Sequence, residues 1–149
     1  APLPDGRRLW RVPCVFGGKA GPQLEEAAGL ADLSAKEAGE RLTAAPVRVL
    51  SLGCSPGQPY LGTLPAAWDI PRQTELTREV PVGALVVAVR QLILFTAASP
   101  TGWRHVGQTG FHGFDPGRDP AILLRPGDEV RLEPAPGPEA PPAQSEALP

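Results

Sequence analysis

One segment near the middle of the chain constrains the fold more than any other. Residues 51–64, SLGCSPGQPYLGTL, contain three glycines and two prolines between apolar, strand-like stretches. Proline fixes φ and glycine permits positive φ, so we expect an ordered loop without repetitive structure. The loop carries Tyr60, the only tyrosine of the chain. Its ring is expected either to line a ligand site or to close one end of a β core.

Glycine and proline also divide the rest of the chain into short apolar segments. Strands are predicted at residues 9–16, 47–52, 84–89, 92–96 and 103–107, with Pro13 indicating an edge position or a bulge in the first. Turns are predicted at residues 90–91 and 99–102, and residues 68–80 are expected to be irregular. Residues 122–125 and 129–133 flank Pro126-Gly127-Asp128, which predicts a hairpin. Many short strands with frequent turns predict a mainly β protein with a closed or nearly closed barrel.

Two short helices are predicted near the N-terminus. Pro22 suits the first position of a helix, and apolar residues then recur at helical spacing as far as Ala31. Ser34 and Glu37 have the spacing of a capping box, which predicts a second helix running to about Thr43.

The segments at the two ends of the chain differ in composition from the part between them. Residues 1–8 are expected to be a linker or leader, residues 9–134 one domain, and the proline-rich residues 135–149 a disordered tail.

The overall charge and the cysteine content exclude several classes of protein. The net charge is −2 without a basic block, which argues against nucleic acid and an anionic membrane surface as partners. The longest apolar run, residues 84–98, is interrupted and too short to span a bilayer. Two cysteines and two histidines make a disulfide framework or a metal site improbable and suggest a cytoplasmic protein with reduced thiols. The sequence begins with Ala1 and contains no methionine, so we expect the chain to be a piece of a longer protein.

A few side chains are candidates for chemistry. Cys54 with His105 or His112 could form a thiol nucleophile and its base, although ordinary packing is the alternative reading. Trp103 could stack on a ligand or pack in the core. Asp115 is expected to cap a turn through its own carboxylate. Four arginines in predicted loops or strand ends could bind a carboxylate or phosphate: Arg72, Arg78, Arg104 and Arg118.

Several motifs in order resemble a known family. The run VPCVFGGKAGPQLEEAAGLADLSAKEAGERL is followed by SLGCSPGQPYLGTLP, IPRQ, VPVGAL, SPTGWRHVGQT and FDPGRDPAILLRPGDEVRLEP. Together they resemble the carboxyltransferase C/D-type domain of the KipI and PxpB family, also known as allophanate hydrolase subunit 1. The resemblance implies a cyclophilin-like β-barrel. Members usually carry a small α/β domain ahead of the barrel, so this chain is expected to be the C-terminal domain alone.

The resemblance also implies a function shared with other proteins. Family members work with a homologous KipA- or PxpC-like subunit, and with a PxpA-like protein the pair forms a bacterial ATP-dependent 5-oxoprolinase. ATP is therefore expected in the complex, and the barrel is expected to be inactive alone. Arg72 is expected to pair with a carboxylate, and Gln91 to donate to a carbonyl. The chain is expected to contribute part of a site for a small amide or carboxylate ligand at the interface with the homologous subunit. The implied ligand-binding residues are Pro56, Gly57, Tyr60, Arg72, Gln91, Ser99 and Trp103.

Departures from the family pattern keep other hypotheses open. Cys54 and Gln58 stand where the family has phenylalanine, and Leu42 stands where it has a histidine. One alternative is a KipI-like module that binds and inhibits a sensor histidine kinase through an apolar rim at residues 54–64 and 111–114. The other is a diverged, non-catalytic domain that binds a partner.

Overall fold

The computed structural model of the chain describes residues 3–149. The elements that position the site follow one another as β1 (Arg8–Phe16), α1 (Leu24–Leu30), α2 (Ala35–Ala44), β2 (Val47–Leu52), β3 (Pro59–Gly62), a 3-10 turn (Ala66–Trp68), β4 (Thr77–Val80), β5 (Ala84–Ala88), β6 (Gln91–Leu94), β7 (Ser99–Thr101), β8 (Arg104–Thr109), β9 (Glu129–Pro134) and β10 (Gln144–Ala147). Of the predicted linker, residues 1 and 2 lie outside the described part, and residue 8 already belongs to β1.

Seven strands form a closed barrel in the order β1-β8-β5-β6-β3-β2-β9, and β9 returns to β1. The closing pair is parallel, with Leu9 opposite Glu129 and Cys14 opposite Pro134. The other six pairings of the barrel are antiparallel. Closure gives each barrel strand two neighbours and leaves little free edge, although β8 pairs only with residues 14–16 of β1 and leaves residues 8–11 open on that side. The predicted mainly β barrel with two helices is confirmed.

Strand β1 accommodates Pro13 because its partner changes at that point. On one side, residues 8–11 pair with β10 and residues 14–16 pair with β8. Pro13 lies between these two ladders, where no neighbouring strand needs its missing N–H. The proline therefore marks a change of partner inside the barrel and not the edge position that its presence suggests.

Both predicted helices are present on the barrel. The predicted capping box is confirmed, since the Glu37 N–H donates to Ser34 Oγ at 3.1 Å and the Ser34 N–H donates to Glu37 Oε1 at 3.0 Å. Helix α1 begins at Leu24, two residues after Pro22. Buried side chains of α1 and α2 join the barrel core, with Leu42 fully enclosed. Neither these helices nor any other in residues 3–149 has the length and hydropathy that crossing a membrane requires.

Strands β5 and β6 are buried on both faces. Leu85, Val87, Leu92 and Leu94 point into the barrel and belong to its main core. Residues on the opposite face form a second cluster with Val80 of β4. Its buried members are Val80, Ala84, Val86, Ile93 and Phe95, and the half-buried rings of Tyr60 and Trp103 pack against them. Strands β4 and β7 pair with each other outside the barrel. We call this pair the β4–β7 ribbon.

Three segments that are predicted to lack regular structure form strands. Pro59–Gly62, inside the predicted loop, is β3 and pairs with β2 and β6. Residues 77–80 and 99–101 build the β4–β7 ribbon, where an irregular segment and a turn are predicted. Glycine and proline report local backbone preferences, whereas strand pairing depends on neighbours that are distant in the sequence. Pro59 is compatible with a strand because it is the first residue of β3.

The predicted hairpin around residues 126–128 is wrong, although its turn exists. The Asp128 N–H donates to the Arg125 carbonyl at 3.0 Å, and Gly127 has a φ of 88°. The strand that follows, β9, pairs with β1 and β2 and not with residues 122–125.

The turn predicted at Asp115 is confirmed, because the Gly117 N–H donates to Asp115 Oδ1 at 2.9 Å.

Within the tail predicted to be disordered, Gln144–Ala147 forms β10. It pairs antiparallel with β1, from Arg8 opposite Ala147 to Arg11 opposite Gln144. All four β10 residues are exposed. The strand is therefore held by main-chain pairing, with an ion pair of 3.1 Å between Arg11 and Glu146, and not by buried side chains. The composition of the tail shows that it has few apolar residues to bury. It does not show that the edge of β1 is available for pairing, which is why the prediction of disorder is wrong for these four residues.

A buried carboxylate stands where the barrel closes. Asp128 is 1% exposed. Its oxygens accept from the Arg8 N–H at 3.0 Å, Arg8 Nη2 at 2.9 Å, Trp10 Nε1 at 3.1 Å and the Arg125 N–H at 3.0 Å. Four donors compensate the loss of hydration that burying the charge would otherwise cost. The interaction joins the start of β1 to the turn that precedes β9.

Replacing Asp128 by alanine is expected to lower the free energy of unfolding by about 3 kcal/mol. The change leaves the buried indole N–H without its acceptor and the Arg8 guanidinium without its charged partner, with only the Leu123 carbonyl to accept from it. Urea unfolding followed by fluorescence measures the effect. Asp5→Ala, at an exposed carboxylate, is the matched control and should change the value by less than about 0.5 kcal/mol. Equal stability of the two variants would contradict this role.

The turn between β5 and β6 has an unusual sequence. Ala88 pairs with Gln91, so the turn residues are Val89 and Arg90, one position earlier than predicted. Both have positive φ, 45° and 64°, which costs a β-branched residue such as valine the most. Surrounding contacts hold the turn: the Val89 N–H donates to the Ile70 carbonyl and the Arg90 N–H to the Trp68 carbonyl, both at 2.8 Å.

Val89→Asn is expected to raise the free energy of unfolding by about 1 kcal/mol, because asparagine tolerates positive φ better than valine does. Val89→Thr is the matched control, since it adds polarity but keeps the β-branch, and it should give no gain. Urea unfolding of the three proteins checks the expectation. A gain for the threonine variant equal to that for asparagine would assign the effect to polarity instead.

Candidate functional site

A cleft of about 450 Å³ opens on the outer face of the barrel beside the β4–β7 ribbon. Its walls come from the loop before β3, from residues 72–76, from β6 and from the segment of β7 that leads to Trp103. Ile93 and Phe95 give it an apolar floor that continues the second hydrophobic cluster. The polar groups around this floor include a thiol, a phenol, a guanidinium and amides, so the cleft combines an apolar surface with a few convergent polar groups.

The structure brings four of the seven predicted ligand-binding residues together in this cleft. They are Tyr60, Arg72, Ser99 and Trp103. Tyr60 lies on β3, Ser99 begins β7, and Trp103 directly precedes β8. The four therefore come from separate parts of the chain and meet only because the barrel and the ribbon bring their strands together.

Pro56 and Gly57 lie behind the cleft and not in its lining. Thr96 Oγ1 donates to the Pro56 carbonyl at 3.0 Å. Gly57 has a φ of 68°, and a Cβ there would come within 3.0 Å of Ile122. The side-chain Oε1 of the buried Gln58 accepts from the Thr96 N–H at 3.1 Å. These residues fix the shape of the loop that borders the cleft, so their position supports a structural role.

Gln91 lies at the start of β6, two positions before Ile93, and it does not line the cleft. On the adjacent strand β3, Gly62 lies beside Gln91. A Cβ on Gly62 would come within 2.9 Å of Leu50 Cδ1 and 3.4 Å of Gln91 Cγ. Donation from Gln91 to a ligand carbonyl therefore stays a prediction, and the structure places this residue beyond the end of the cleft.

Tyr60 is a wall of the cleft and not a plug of the barrel. Its hydroxyl lies 3.1 Å from Cys54 Sγ, and its ring meets Trp103 edge to face, with centroids 6.0 Å apart and planes at 75°. The hydrogen bond with Cys54 raises the pKa of Tyr60, and burial raises it further, whereas nearby Arg72 lowers it. The phenol is therefore neutral at pH 7 and is able both to donate and to accept.

Arg72 is the cationic group of the cleft. No carboxylate lies within 4.0 Å of it anywhere in residues 3–149. The other candidate arginines lie outside the cleft. Arg104 pairs with Glu26 and donates to the Pro71 carbonyl at 2.6 Å, and Arg118 donates to the Ala121 carbonyl at 3.1 Å. Arg72 is thus the candidate whose guanidinium faces a cavity without an internal partner.

Sequence reasoning missed Gln73, which also lines the cleft. Its Nε2 donates to Thr77 Oγ1 at 2.8 Å, and its Oε1 accepts from Gln23 Nε2 at 2.8 Å. It is the last residue of the IPRQ motif, but the motif does not show that its side chain reaches the cleft. Both partners depend on how the segment before α1 and the start of β4 meet in three dimensions.

The structure does not bring a thiol and an imidazole together. His105 is buried on β8, and burial lowers its pKa. His112 is exposed and borders a different, smaller cleft. Burial raises the pKa of Cys14 to about 12, so this thiol is protonated. Within residues 3–149, no group of three histidine, cysteine, aspartate or glutamate side chains is arranged to hold a metal ion.

Residues 2–124 match the family described as carboxyltransferase domain, subdomain C and D, and the chain belongs to that family. The resemblance inferred from the motifs is therefore confirmed.

Two curated relatives carry the same name, that of the 5-oxoprolinase B subunit. The one from Escherichia coli O157:H7 is 41% identical over 127 residues, which cover 85% of this chain and 58% of the relative. The one from Bacillus subtilis (strain 168) is 34% identical over 126 residues, 85% of this chain and 52% of the relative. The chain thus spans little more than half the length of these relatives.

Solved structures share the fold of this chain. A conserved uncharacterized protein from Pyrococcus horikoshii superimposes with a TM-score of 0.79 at 32% identity, covering 85% of this chain and 58% of that one. The urea amidolyase of K. lactis has a TM-score of 0.73 at 17% identity, covering 95% of this chain and 11% of that one. At that identity the second similarity shows a shared fold alone.

Titration of Tyr60 tests the geometry of the cleft. Cys54→Ala is expected to move the pKa of Tyr60 down toward its ordinary value, because the hydrogen bond with Cys54 is the main cause of the increase. Arg72→Gln should move it further up, because the guanidinium favours the phenolate. Tyr60 is the only tyrosine, so phenolate absorbance against pH follows it alone. Arg131→Gln, on β9, is the control, and a Cys54→Ala curve identical to that of the native protein would refute the contact.

Proposed function

We propose that this chain is the PxpB-like part of a bacterial ATP-dependent 5-oxoprolinase, in which it contributes a site for a small amide or carboxylate ligand. The observation that carries the proposal is the cleft in which Arg72, without an internal carboxylate partner, faces Tyr60 and Trp103. The two curated relatives, both 5-oxoprolinase subunits by name, support the same assignment.

The chemistry of the cleft suits 5-oxoproline, which carries a carboxylate and a lactam amide on a small apolar ring. The Arg72 guanidinium can bind a carboxylate through two parallel hydrogen bonds. The neutral Tyr60 hydroxyl can donate to the lactam carbonyl, and the ring methylenes can pack against Trp103 and Phe95. A volume of about 450 Å³ exceeds what so small a ligand occupies, which leaves room for groups of a partner.

The same residues do not suit ATP. Arg72 is the single cationic side chain in the lining of the cleft, whereas a triphosphate requires several positive groups or a glycine-rich cradle. We therefore assign ATP to a part of the complex outside this cleft. The titratable groups that line it, Cys54 and Tyr60 beside Arg72, are not an acid and base pair for hydrolysis. Hydrolysis in this proposal needs a homologous KipA- or PxpC-like subunit and a PxpA-like protein.

The kinase-inhibitor alternative receives less support from the surface. It requires an apolar rim that includes residues 111–114, but Phe111 is only 3% exposed and packs edge to face against Trp10 at 5.6 Å. At the mouth of the cleft the exposed apolar side chain is Leu76, at 67%. A cleft with one free guanidinium beside it fits a small anionic ligand better than an extended protein surface.

Arg72→Gln is expected to raise the KM for 5-oxoproline in stimulated ATP hydrolysis on the order of 100-fold, because a charged pair is lost from a partly enclosed site. The assay uses the protein co-purified with its PxpC-like and PxpA-like partners. Arg131→Gln is the matched control, since this arginine lies on β9 in an exposed ion pair with Glu129, and it should leave KM unchanged.

Two outcomes separate the hypotheses. A stable complex whose ATP hydrolysis does not respond to 5-oxoproline would reject this ligand and favour a diverged, non-catalytic domain. A protein that forms no such complex but lowers the autophosphorylation of a sensor histidine kinase would favour the inhibitor alternative.

A further inference from the structure

The segment that carries Arg72 has little packing of its own. Residues 71–76, which we call the arm, connect the 3-10 turn to β4 without regular secondary structure. Five of its six residues are exposed, and Gln73 is the exception. Burial of apolar surface therefore does not hold the arm in place. Its position depends on hydrogen bonds: Arg104 donates to the Pro71 carbonyl on one side of Arg72, and the half-buried Gln73 forms its bonds on the other side.

Gln73 connects the arm to three neighbours at once. Its backbone N–H donates to the Gly102 carbonyl at 2.8 Å, beside Trp103 of the cleft. Its Nε2 donates to Thr77 Oγ1 at 2.8 Å, at the start of the β4–β7 ribbon. Its Oε1 accepts from Gln23 Nε2 at 2.8 Å. The side-chain amide is thus used as donor and as acceptor together, a combination that few side chains offer.

Gln23 is itself fixed to the barrel. Its backbone N–H donates to the His105 carbonyl at 2.9 Å, and its side-chain Oε1 accepts from the His105 N–H at 2.9 Å. These two bonds run in opposite directions between Gln23 and His105, like the paired hydrogen bonds between neighbouring β-strands. Its Nε2 therefore has a defined direction, and it presents a rigid donor to Gln73. A continuous path of hydrogen bonds leads from β8 through Gln23 and Gln73 to the arm.

We propose that Gln73, anchored by Gln23, is a positioning residue that holds Arg72 in the cleft. The inference rests on the proposed function, because it assigns Arg72 to the ligand carboxylate. Arg72 immediately precedes Gln73, so rotation of the Gln73 backbone would carry the guanidinium away from Tyr60 and Trp103. Gln73 does not have to touch the ligand for this, since it acts through the geometry of its neighbour.

The test uses the assembled complex and two readouts. Gln73→Leu has a similar size but removes all three side-chain hydrogen bonds, the third being a longer one of 3.4 Å from Nε2 to the Thr101 carbonyl. It is expected to raise the KM for 5-oxoproline about 10-fold while kcat changes less than about 2-fold, because ligand binding loses a prearranged cation. Backbone amide hydrogen exchange at residues 72–77 should become about 10-fold faster, with the rest of the chain unchanged.

A second variant separates position from charge. Gln73→Glu keeps an acceptor for Gln23 Nε2, and the Thr77 hydroxyl can turn to donate to it, while the longer bond to the Thr101 carbonyl is lost. Exchange in the arm should therefore increase less than in Gln73→Leu. The added carboxylate beside Arg72 should nevertheless raise the KM, because it competes with the ligand for the guanidinium. Gln144→Leu, at an exposed glutamine of β10, is the matched control and should alter neither readout.

Several results would overturn the inference. Faster exchange in the arm of Gln73→Leu with an unchanged KM would show that the position of the arm does not matter for binding. A higher KM without faster exchange would show that Gln73 does not hold the arm. Faster exchange throughout the chain would make Gln73 a residue of general stability. If the native complex does not respond to 5-oxoproline, the proposed function is rejected. Hydrogen exchange at residues 72–77 of Gln73→Leu then still shows whether Gln73 holds the arm.

Discussion

The parallel pairing of β1 with β9 is the constraint on which the rest of the structure depends. It joins residues 9–14 to residues 129–134, so almost the whole chain lies between the two strands that close the barrel. Such a contact requires closure of a very long loop, and it therefore has a large entropic cost. The buried Asp128 carboxylate strengthens this junction, because it binds Arg8 and Trp10 of β1 from the turn that leads into β9.

The cleft follows from the way the barrel is covered. The outward faces of β5 and β6 are apolar, so they need a second layer, and the β4–β7 ribbon supplies part of it. Where this layer ends, Tyr60 and Trp103 remain half-buried at its margin, with polar groups beside them. The site is thus a boundary between buried and exposed sheet surface, where an apolar floor and an unpaired guanidinium from Arg72 can coexist.

The sequence predicted the candidate site in part. Tyr60, Arg72, Ser99 and Trp103 were found through motifs, and the structure collects them in one cleft. Motifs did not separate these side chains from Pro56 and Gly57, because loop residues next to a site belong to the same short motif as the residues that line it. Gln73 was missed for the opposite reason. Its importance depends on Gln23, fifty positions away, and no local pattern reports such a contact.

By itself, the sequence determined the features whose causes are local. The capping box of Ser34 and Glu37, the turn at Asp115 and the positions of the strands near residues 84–89 and 92–96 could be read directly, since each depends on neighbours along the chain. Only the tertiary structure decided that Pro59–Gly62 is a barrel strand, that β9 joins β1 and not residues 122–125, and that β10 pairs at all. Strand pairing is a contact between distant segments, and the free edge that accepts a strand exists only after the barrel has formed.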